Sequence, residues 1–582
     1  MSLNEAQQRA VRHRGGPLLV LAGAGTGKTR VITHRVAALL DEGVPPWRIL
    51  AVTFTNKAAG EMRARIADLC GPEMARAGMW VGTFHAICAR IIRRHGHLVG
   101  LGPNFAIYDS ADQKAAMKRV LKAQNVSDRA YRPVGILAQL DYAKNRGAGP
   151  EDLEEMGVEE PLLSVVRRAW AGYERMLRAA DAADFGDLLV LTVRLLEHAR
   201  ASQDPLAEDA AALFTRFQHV VVDEFQDTNP VQGKIVEMLS ERAELCVVGD
   251  DDQSIYGWRG ADVAQILRFP DRHVGCETIR LEQNYRSTTH ILDCAEAVIS
   301  RNQDRLGKSL WSDLGEGSKV VVARLDDERA EAQWIAGQVG ERIADGESPE
   351  EFAIFYRTHA QSRALEEALR SAGIHYRIVG GTRFFDRAEV KDVIAYLRIL
   401  VTPHSDLDLI RIINRPARRI GAKTVETLLS YAASQQISLY EALSHPESAG
   451  LKKAAASRVT AVSTLLASLR ADAEGVAIDE QARLVVERTG YLEALANEDT
   501  IDADARLENI QEFIGSMGEF LEESPEASLA EYLEMVSLST SEAQQDVREC
   551  VTMMTVHSSK GLEFDHVFMS GMEDRIFPHV RA

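Results

Sequence analysis

Short apolar runs alternate along the chain with longer stretches in which apolar residues recur at helical spacing. We interpret the short runs as strands, and they cover residues 17–21, 49–54, 79–84, 219–223, 245–249, 319–325, 352–356 and 551–556. Continuous apolar strands separated by helices are typical of parallel sheets that helices cover on both faces. Two stretches, residues 95–200 and 386–545, look almost wholly helical and interrupt this alternation. The pattern therefore predicts an α/β architecture with two inserted helical subdomains.

Size and composition fit a multi-domain protein of ordinary globular type. The chain has 582 residues, of which 46% are hydrophobic and 26% charged, and a domain takes roughly 150 residues. No apolar run approaches the roughly 20 residues of a membrane-spanning helix, and residues 1–5 lack the features of a signal peptide. Six scattered cysteines include no CxxC pair, which favours a reducing compartment over zinc or iron–sulfur sites. We therefore expect a cytoplasmic protein without a membrane segment.

The net charge of −19 argues at first against a nucleic-acid partner. Most of this charge comes from residues 471–550, which contain 21 acidic and four basic residues. The remaining chain is close to neutral and can still present a basic groove. Two interpretations of the acidic segment stay open. It is either a solvated helical surface or a face that repels nucleic acid and keeps it on another side.

An octet follows the first predicted strand and precedes a helical stretch at residues 30–40. It consists of Ala22, Gly23, Ala24, Gly25, Thr26, Gly27, Lys28 and Thr29. Strand, glycine-rich turn and helix in this order are typical of a phosphate-binding loop, in which backbone N–H groups surround a phosphate. We expect Lys28 to reach the β- and γ-phosphates and Thr29 to bind Mg²⁺. The general pattern has glycine at the position of Ala22, and alanine can serve there if its φ is negative.

Two later strands end in polar residues that suit nucleotide chemistry. Asp223 and Glu224 follow one apolar run, and buried carboxylates are costly unless a metal ion or a hydrogen-bond donor compensates them. We expect Asp223 to hold Mg²⁺ and Glu224 to act as the general base for the attacking water. Gln253 follows the next strand, at the sheet edge where α/β proteins bind ligands. This position suits a side chain that senses a γ-phosphate.

The loop after Gln253 contains Tyr256, Trp258 and Arg259 among glycines. An isolated tryptophan in a loop is more often a packing residue than a ligand contact. Beside Gln253 and Arg259, however, we favour stacking of both aromatic rings on nucleic-acid bases, an interaction worth about 1–3 kcal/mol per base.

These motifs, in this order, resemble the superfamily 1 DNA helicases of the UvrD/Rep/PcrA group. The resemblance runs from Leu3 to the last residues of the chain. It implies an α/β fold with two RecA-like P-loop NTPase motor domains, each carrying an inserted helical subdomain. The implied boundaries are residues 1–94 with 201–280 for motor domain 1A, 95–200 for helical domain 1B, 281–385 with 546–582 for motor domain 2A, and 386–545 for helical domain 2B.

The resemblance also implies contacts to the nucleotide. Gln7 is expected to read adenine, and Arg30 matches a second contact on the adenine side. Tyr285 is expected to stack on adenine, Arg286 to bind the γ-phosphate and Glu563 to contact the nucleotide sugar. The implied cofactors are ATP and Mg²⁺. The implied catalytic residues are Glu224, Lys28, Gln253 and Arg286.

Single-stranded DNA and junctions between single- and double-stranded DNA are the implied substrates. The residues expected to contact DNA are Phe54, Thr55, Asn56, His85, Tyr256, Trp258, Arg259, Thr555 and His557. Residues 418–424 resemble the loop with which domain 2B grips a duplex. Arg419 stands there in place of a usual glycine, which adds a charge and removes the residue type that a tight turn prefers.

The implied activity is ATP-dependent 3′-to-5′ translocation on single-stranded DNA with unwinding of duplexes. The implied role is in DNA repair or replication, and the implied partners are proteins of repair or replication. The chain ends before the arginine-containing motif VI of its relatives, and an arginine of that kind is worth about 10³–10⁵ in rate. We therefore expect a truncated part of a longer protein. Two alternatives stay open. One is a fragment that binds ATP and DNA with little hydrolysis, and the other is a translocase that displaces proteins with little unwinding.

Overall fold

The computed structural model describes residues 3–73, 78–127, 130–202, 205–357, 361–379, 385, 387–496, 501–539 and 549–578. The chain divides into two compact units, and each is built from separate segments. The first unit comprises Met1–Gly23, Gly27–Leu281 and Phe385–Ser539. The second comprises Ala24–Thr26, Glu282–Phe384 and Thr540–Ala582. The four domain boundaries expected from the sequence stay a prediction.

The strands are numbered in chain order. They are β1 (Leu18–Ala22), β2 (Ile49–Thr53), β3 (Trp80–Thr83), β4 (Ala106–Tyr108), β5 (Ala182–Asp184), β6 (His219–Val222), β7 (Glu244–Gly249), β8 (Glu277–Leu281), β9 (Gln283–Asn284), β10 (Trp311–Ser312), β11 (Phe352–Tyr356), β12 (Tyr376–Val379), β13 (Val551–Thr555) and β14 (His566–Met569).

The first unit contains a parallel sheet with the strand order β3-β2-β6-β7-β1-β8. Strands β1, β2 and β6 are buried along their whole length, which explains why each appears in the sequence as an unbroken apolar run. Because all strands run in one direction, the loops after β1, β6 and β7 leave from the same edge of the sheet. This edge carries the glycine-rich octet, the acidic pair and Gln253, as the sequence predicts.

The first unit also contains many helices. In the segment up to β8 they span Glu5–Arg12, Lys28–Asp41, Asn56–Cys70, Phe84–His95, Ser110–Ala123, Pro133–Lys144, Leu162–Ala179, Phe185–Ala201, Pro205–Ala211, Leu213–Arg216, Pro230–Leu239, Ala264–Leu267 and Phe269–Arg272. In the later segment they span Ala388–Val401, Asp406–Ile412, Ala422–Gln435, Leu439–Ala442, Lys453–Ala473, Ile478–Arg488, Tyr491–Ala496, Ile501–Glu523 and Leu529–Ser539.

The two stretches predicted to be helical differ in whether they also contain strands. Residues 95–200 are mainly helical and have their own apolar core around Trp170 and Tyr173, but they also contain the parallel strand pair β4–β5. Sequence reasoning missed this pair because each strand has only three residues, too few for a period-two pattern to be recognised. The described residues between 387 and 539 contain helices and no strand.

The second unit contains a parallel sheet with the strand order β12-β13-β11-β14 and a short parallel pair, β9–β10. Its helices span Thr289–Ile299, Glu328–Ala344 and Ser362–Ser371. The apolar core joins β11 and β13 to the last two of these helices. The prediction of an α/β protein with parallel sheets is therefore confirmed in both units.

One predicted strand is wrong. Residues 319–325 form no regular element, and Val321 and Val322 are 75% and 92% exposed. A strand needs a neighbour that satisfies its backbone N–H and C=O groups, and none of the described segments pairs with this one. The β-branched composition of the run is therefore not enough to make it a strand here.

Candidate functional site

The glycine-rich octet has the geometry of a phosphate-binding turn. Ala22 ends β1 in extended backbone, so the alanine at the first position is accommodated. Gly25 and Gly27 adopt φ values of 69° and 84°, which L-residues other than glycine rarely adopt. Gly27 is also the N-cap of the helix Lys28–Asp41. The positive end of the helix dipole therefore faces the turn, as anion binding requires.

Lys28 places a buried positive charge at this turn. Its side chain is 12% exposed, and its buried Nζ donates no hydrogen bond to any described residue. The Nζ atom lies 3.7 Å from Glu224 Oε2. A buried ammonium without a hydrogen bond is costly. A nucleotide phosphate at the turn fits it, because phosphate oxygens supply both charge and acceptors. Thr29, in the first turn of the same helix, is partly exposed.

Gln7 lies beside the same turn. Its backbone N–H and side-chain Oε1 are held by Asn4 in a capping box. A Cβ atom added to Gly27 would lie 2.9 Å from Gln7 Nε2, so the amide is already in contact with the octet. Gln7 is 1% exposed, and Arg30 is partly exposed on the helix that follows the octet.

The predicted acidic pair ends β6 in the same unit. Asp223 is 5% exposed, and its Oδ1 accepts the backbone N–H of Glu224 at 2.9 Å. Burial, together with the neighbouring charge of Glu224, raises the pKa of Asp223 to about 7. A nearby divalent cation favours the ionised form of such a carboxyl group. Burial and charge at Asp223 therefore fit a group that binds Mg²⁺.

A chain of hydrogen bonds links the acidic pair to Gln253. Gln226 Nε2 donates to Glu224 Oε2 at 2.5 Å, and Gln226 Oε1 accepts the backbone N–H of Asp250 at 3.0 Å. Gln253 Nε2 in turn donates to Asp250 Oδ2 at 2.5 Å. Gln226 and Asp250 are buried, and we did not predict either as a site residue. Gln226 could be seen in the sequence close after the acidic pair, but its contact with Asp250 could not be predicted.

The second unit holds Ala24–Thr26 of the octet together with Tyr285 and Arg286. Asn284 Nδ2 donates to the Ala24 carbonyl at 2.6 Å, and the Tyr285 N–H donates to the Gly25 carbonyl at 2.9 Å. A Cβ atom on Gly25 would lie 2.7 Å from Arg286 Cβ, so the close approach also requires glycine. Tyr285 is 41% exposed.

Arg286 and Glu563 are brought together within the second unit. Arg286 Nε donates to Glu563 Oε2 at 2.6 Å. Both residues were expected to contact the nucleotide, and the structure shows that they contact each other.

Three aromatic residues from the predicted DNA contacts of the first unit lie close together. Phe54 stacks on Tyr256 with ring centroids 5.3 Å apart and an interplanar angle of 14°. The Arg259 guanidinium lies 4.7 Å from the Trp258 ring centroid and 5.2 Å from that of Tyr256. Trp258 is 67% exposed. Phe54, Tyr256, Trp258 and Arg259 thus form an aromatic platform with an exposed indole, the arrangement that base stacking uses.

The remaining predicted DNA contacts are distributed over both units. In the first unit, Thr55 Oγ1 caps the helix that begins at Asn56 by accepting the Ala58 N–H, and His85 packs edge-on against Phe185. Burial lowers the pKa of His85 to about 4. In the second unit, Thr555 shares a hydrogen bond with Ser558 at 2.9 Å.

His557, also in the second unit, has a partner that we did not predict. Arg357 Nη1 lies 3.0 Å from His557 Nδ1. The same Nη1 lies 3.4 Å from His557 Nε2, and since a guanidinium only donates, a ring nitrogen of His557 accepts the hydrogen bond. The side chain of His557 is therefore held with a fixed orientation by a residue at the end of β11.

Two carboxylate-containing clusters in the described residues have the spacing of cation ligands. One is Asp250, Asp251 and Asp252, and the other is Glu347, Glu351 and His566. All six cysteines are unpaired. Among the described helices, none combines the length and apolar character that crossing a bilayer would require.

Comparisons with known proteins match the whole length of the chain. Residues 3–273 match the family model of the UvrD/REP helicase N-terminal domain, and residues 279–582 match that of the UvrD-like helicase C-terminal domain. The chain is 41% identical over its entire length to the ATP-dependent DNA helicase PcrA of Staphylococcus epidermidis, covering 79% of that protein. It is 40% identical to the PcrA of Bacillus subtilis, covering 78%, and 41% identical to that of Staphylococcus aureus. The chain therefore belongs to the UvrD/Rep helicase family, and its parallel-sheet regions are the RecA-like motors of that family.

Proposed function

We propose that the chain is an ATP-dependent DNA helicase that moves 3′ to 5′ along single-stranded DNA. One observation carries the nucleotide half of the proposal: the buried Lys28 Nζ, without a hydrogen bond in the described residues, sits in a glycine turn 3.7 Å from Glu224. The exposed Trp258 on its aromatic platform supports the DNA half. Family membership and the PcrA relatives agree with both halves.

In the nucleotide site, we assign each side chain a role. The octet Ala22–Thr29 binds the phosphates, with Lys28 neutralising the β- and γ-phosphates. Thr29 and Asp223 would hold Mg²⁺, which when bound would neutralise charge at the transferred phosphoryl group. Glu224 accepts a proton from the attacking water. Gln226 fixes the Glu224 carboxylate through its 2.5 Å hydrogen bond, so the base is oriented before water arrives.

Other residues recognise the nucleotide and report its state. Gln7 and Arg30 contact the adenine side, and Gln253 senses the γ-phosphate through the chain that ends on Glu224. Tyr285, Arg286 and Glu563 are the residues by which the second motor responds to the nucleotide. The gain or loss of the γ-phosphate changes which of these contacts are made, and this difference drives the conformational step.

On the DNA side, the aromatic platform holds bases and the other predicted contacts hold the backbone. Phe54, Tyr256 and Trp258 stack on bases, while Thr55, Asn56, His85, Arg259, Thr555 and His557 contact phosphates or sugars. Stacking is tolerant of sequence because every base has an aromatic face. The enzyme therefore acts on single strands and junctions of any sequence. We further propose a cytoplasmic role in repair or replication, which the unpaired cysteines suit.

Steady-state ATP hydrolysis with and without single-stranded DNA tests the proposal. We expect strong stimulation by DNA, and we expect Glu224→Gln to lose turnover by at least about 100-fold while still binding ATP and DNA. Glu208→Gln, at an exposed glutamate of the same unit, is the matched control and should behave as the wild type. Turnover that persists in Glu224→Gln, or the absence of stimulation in the wild type, would overturn the assignment.

Unwinding of duplexes with a single-stranded tail tests direction separately. A duplex with a 3′ tail should be unwound and one with a 5′ tail should not. Stimulated hydrolysis without unwinding of either duplex would instead identify a translocase.

A further inference from the structure

Asn145 makes contact with two segments that the proposed mechanism needs to connect. It follows the helix Pro133–Lys144, and its backbone N–H caps that helix by donating to Asp141. Its side-chain Nδ2 donates to the Arg259 carbonyl at 3.3 Å, and its Oδ1 accepts from Asn229 Nδ2 at 3.1 Å. One amide thus joins the aromatic platform to the segment that follows Asp227.

The platform side of this contact is closely fitted. Gly260 follows Arg259 and adopts a φ of 90°. A Cβ atom at Gly260 would lie 2.9 Å from Asn145 Cβ, which is closer than real carbon atoms approach. The loop therefore turns directly against the Asn145 side chain. Because the Arg259 guanidinium lies over the Trp258 ring, the position of the Arg259 backbone also sets the position of the indole.

The nucleotide side is equally well fixed. Asn229 is 5% exposed and caps the helix Pro230–Leu239, with its Oδ1 accepting the Gln232 N–H at 2.8 Å. Its chain neighbour Thr228 accepts the Asp262 N–H at 3.0 Å. Asn229 lies two residues after Asp227, in the segment that begins with the Asp223–Glu224 pair. Asn145 thus connects the Arg259 carbonyl to this segment through one side chain, beside the backbone hydrogen bond between Asp262 and Thr228.

The helix that ends at Lys144 is itself held firmly. Lys144 Nζ lies 2.8 Å from Asp184 Oδ2 and 2.7 Å from Asp187 Oδ1, and Lys144 is 3% exposed. Asp184 caps the next long helix, Phe185–Ala201. Asn145 consequently projects from a rigid support, and it can act as a fixed reference for the loop instead of moving with it.

We propose that Asn145 is a positioning residue that couples DNA on the Trp258 platform to ATP turnover at Glu224. The inference rests on the proposed stacking role of Trp258, and it goes beyond that role by naming the residue that transmits its effect. Asn145 touches neither nucleotide nor DNA in this assignment. It holds the Arg259 carbonyl and the Asn229 amide in one geometry, so that base stacking and the orientation of the acidic segment change together.

The variant Asn145→Ala tests whether DNA binding and the stimulation of ATP hydrolysis by DNA can be separated. We expect its affinity for single-stranded DNA and the DNA-induced quenching of Trp258 fluorescence to be retained. DNA-stimulated kcat should fall about tenfold, the upper part of the range for single coupling residues. Asn145→Asp keeps the acceptor for Asn229 but loses the donor to Arg259, so it should show the same loss. Trp258→Phe identifies the Trp258 part of the fluorescence, and Gln139→Ala, an amide from the same helix, should behave as the wild type.

Each other outcome has a defined meaning. Full DNA stimulation in Asn145→Ala overturns the inference, and so does loss of Trp258 quenching together with stimulation, because that result indicates a merely structural role. A double-mutant cycle adds a further test: the effects of Asn145→Ala and Trp258→Ala should not add if both act along one route. If Trp258→Ala alone keeps full stimulation, the proposed stacking role fails, and this is distinguishable from failure of Asn145.

Discussion

Arg286 Nε donates to Glu563 Oε2 at 2.6 Å, although 277 residues separate the two in the chain. The side chains are 35% and 67% exposed, and an ion pair of that exposure contributes only about 0–1 kcal/mol. We therefore expect a nucleotide phosphate to displace Glu563 from Arg286 at little cost.

Substitution of Arg286 and substitution of Glu563 should change the kinetics of ATP hydrolysis in different ways. Arg286→Ala should lower kcat by at least about 100-fold, because it removes a cation that stabilises the transferred phosphoryl group. Glu563→Ala should mainly raise the KM for ATP, because it removes a contact to the sugar and leaves the arginine in place. Steady-state kinetics with DNA present measures both, and Arg301→Ala, at an exposed arginine of the same unit, is the control. An equal loss of kcat in both variants would show instead that Glu563 acts by holding Arg286.

His85 should make the protein sensitive to mild acid. Its pKa is lowered to about 4 by burial, whereas an unfolded histidine has a pKa of about 6.5. Between these values the unfolded chain binds more protons, so the stability of the folded protein falls as the pH drops through this window. The melting temperature of the wild type should therefore fall more steeply from pH 6.5 to 4.5 than that of His85→Gln.

His97→Gln is the matched control, because His97 is an exposed histidine near His85 in the chain. Its melting temperature should follow the wild-type curve. Parallel curves for the wild type and His85→Gln would contradict the burial of His85. The same pKa means that the imidazole is neutral at pH 7. His85→Gln should thus leave the salt dependence of DNA binding unchanged, since neutral groups displace no counterions.

Sequence reasoning recovered the elements whose signal is local. The run at residues 49–54 became β2, Ile49–Thr53, because a strand buried on both faces keeps every side chain apolar. The glycine-rich octet could also be recognised from the sequence, because its turn requires the positive φ values of Gly25 and Gly27. Residues 319–325 are equally apolar but form no strand. A strand needs a neighbouring strand to pair with, and the local sequence does not show whether one is present.

Contacts between residues that are distant in the chain could not be predicted from the sequence. The bond from Gln226 to Asp250 spans 24 residues, and those from Asn145 to Asn229 and to Arg259 span 84 and 114. Each uses an ordinary amide, and nothing in the residues next to it specifies its distant partner. The chemical groups of the candidate site could therefore be predicted from motifs, whereas the amides that orient them depend on tertiary packing.

Lys144 should be far more important for stability than its charge suggests. It lies within 2.8 Å of two buried carboxylates, those of Asp184 and Asp187. Lys144→Met leaves these carboxylates unpaired, and breaking a buried pair from one side costs about 3–5 kcal/mol. Burial already raises the pKa of Asp187 to about 6, and removal of the lysine raises it further. The loss in melting temperature should therefore be smaller at pH 5 than at pH 8, because protonation relieves the unpaired charge.

Lys122→Met provides the comparison for this variant. Lys122 Nζ lies 2.9 Å from Glu426 Oε1, nearly the same distance, but the side chains are 79% and 64% exposed. Its loss should change stability by less than about 0.5 kcal/mol. Similar effects of the two substitutions would mean that burial does not control the contribution of Lys144.

Arg419 stands at a position where the resemblance leads us to expect glycine, and the structure shows its backbone conformation. Its φ is 57°, a left-handed conformation that costs an L-residue about 1–2 kcal/mol. Asn414 holds the turn by accepting the N–H groups of Arg418 and Ile420 at 2.8 and 3.0 Å. Arg419→Gly should relieve this strain. It should raise stability by about 0.5–1 kcal/mol, after the greater flexibility of an unfolded glycine is subtracted.

Arg419→Ala separates the conformation of this residue from its charge, because alanine keeps the strained φ but removes the guanidinium. Melting temperatures should therefore rise for Arg419→Gly and not for Arg419→Ala. Both variants should bind duplex DNA more weakly, and the slope of log K against log salt should become shallower by about 0.9 if Arg419 contacts one phosphate. An unchanged slope in both variants would remove Arg419 from the duplex contact, while a gain in stability confined to glycine would still establish the strained turn.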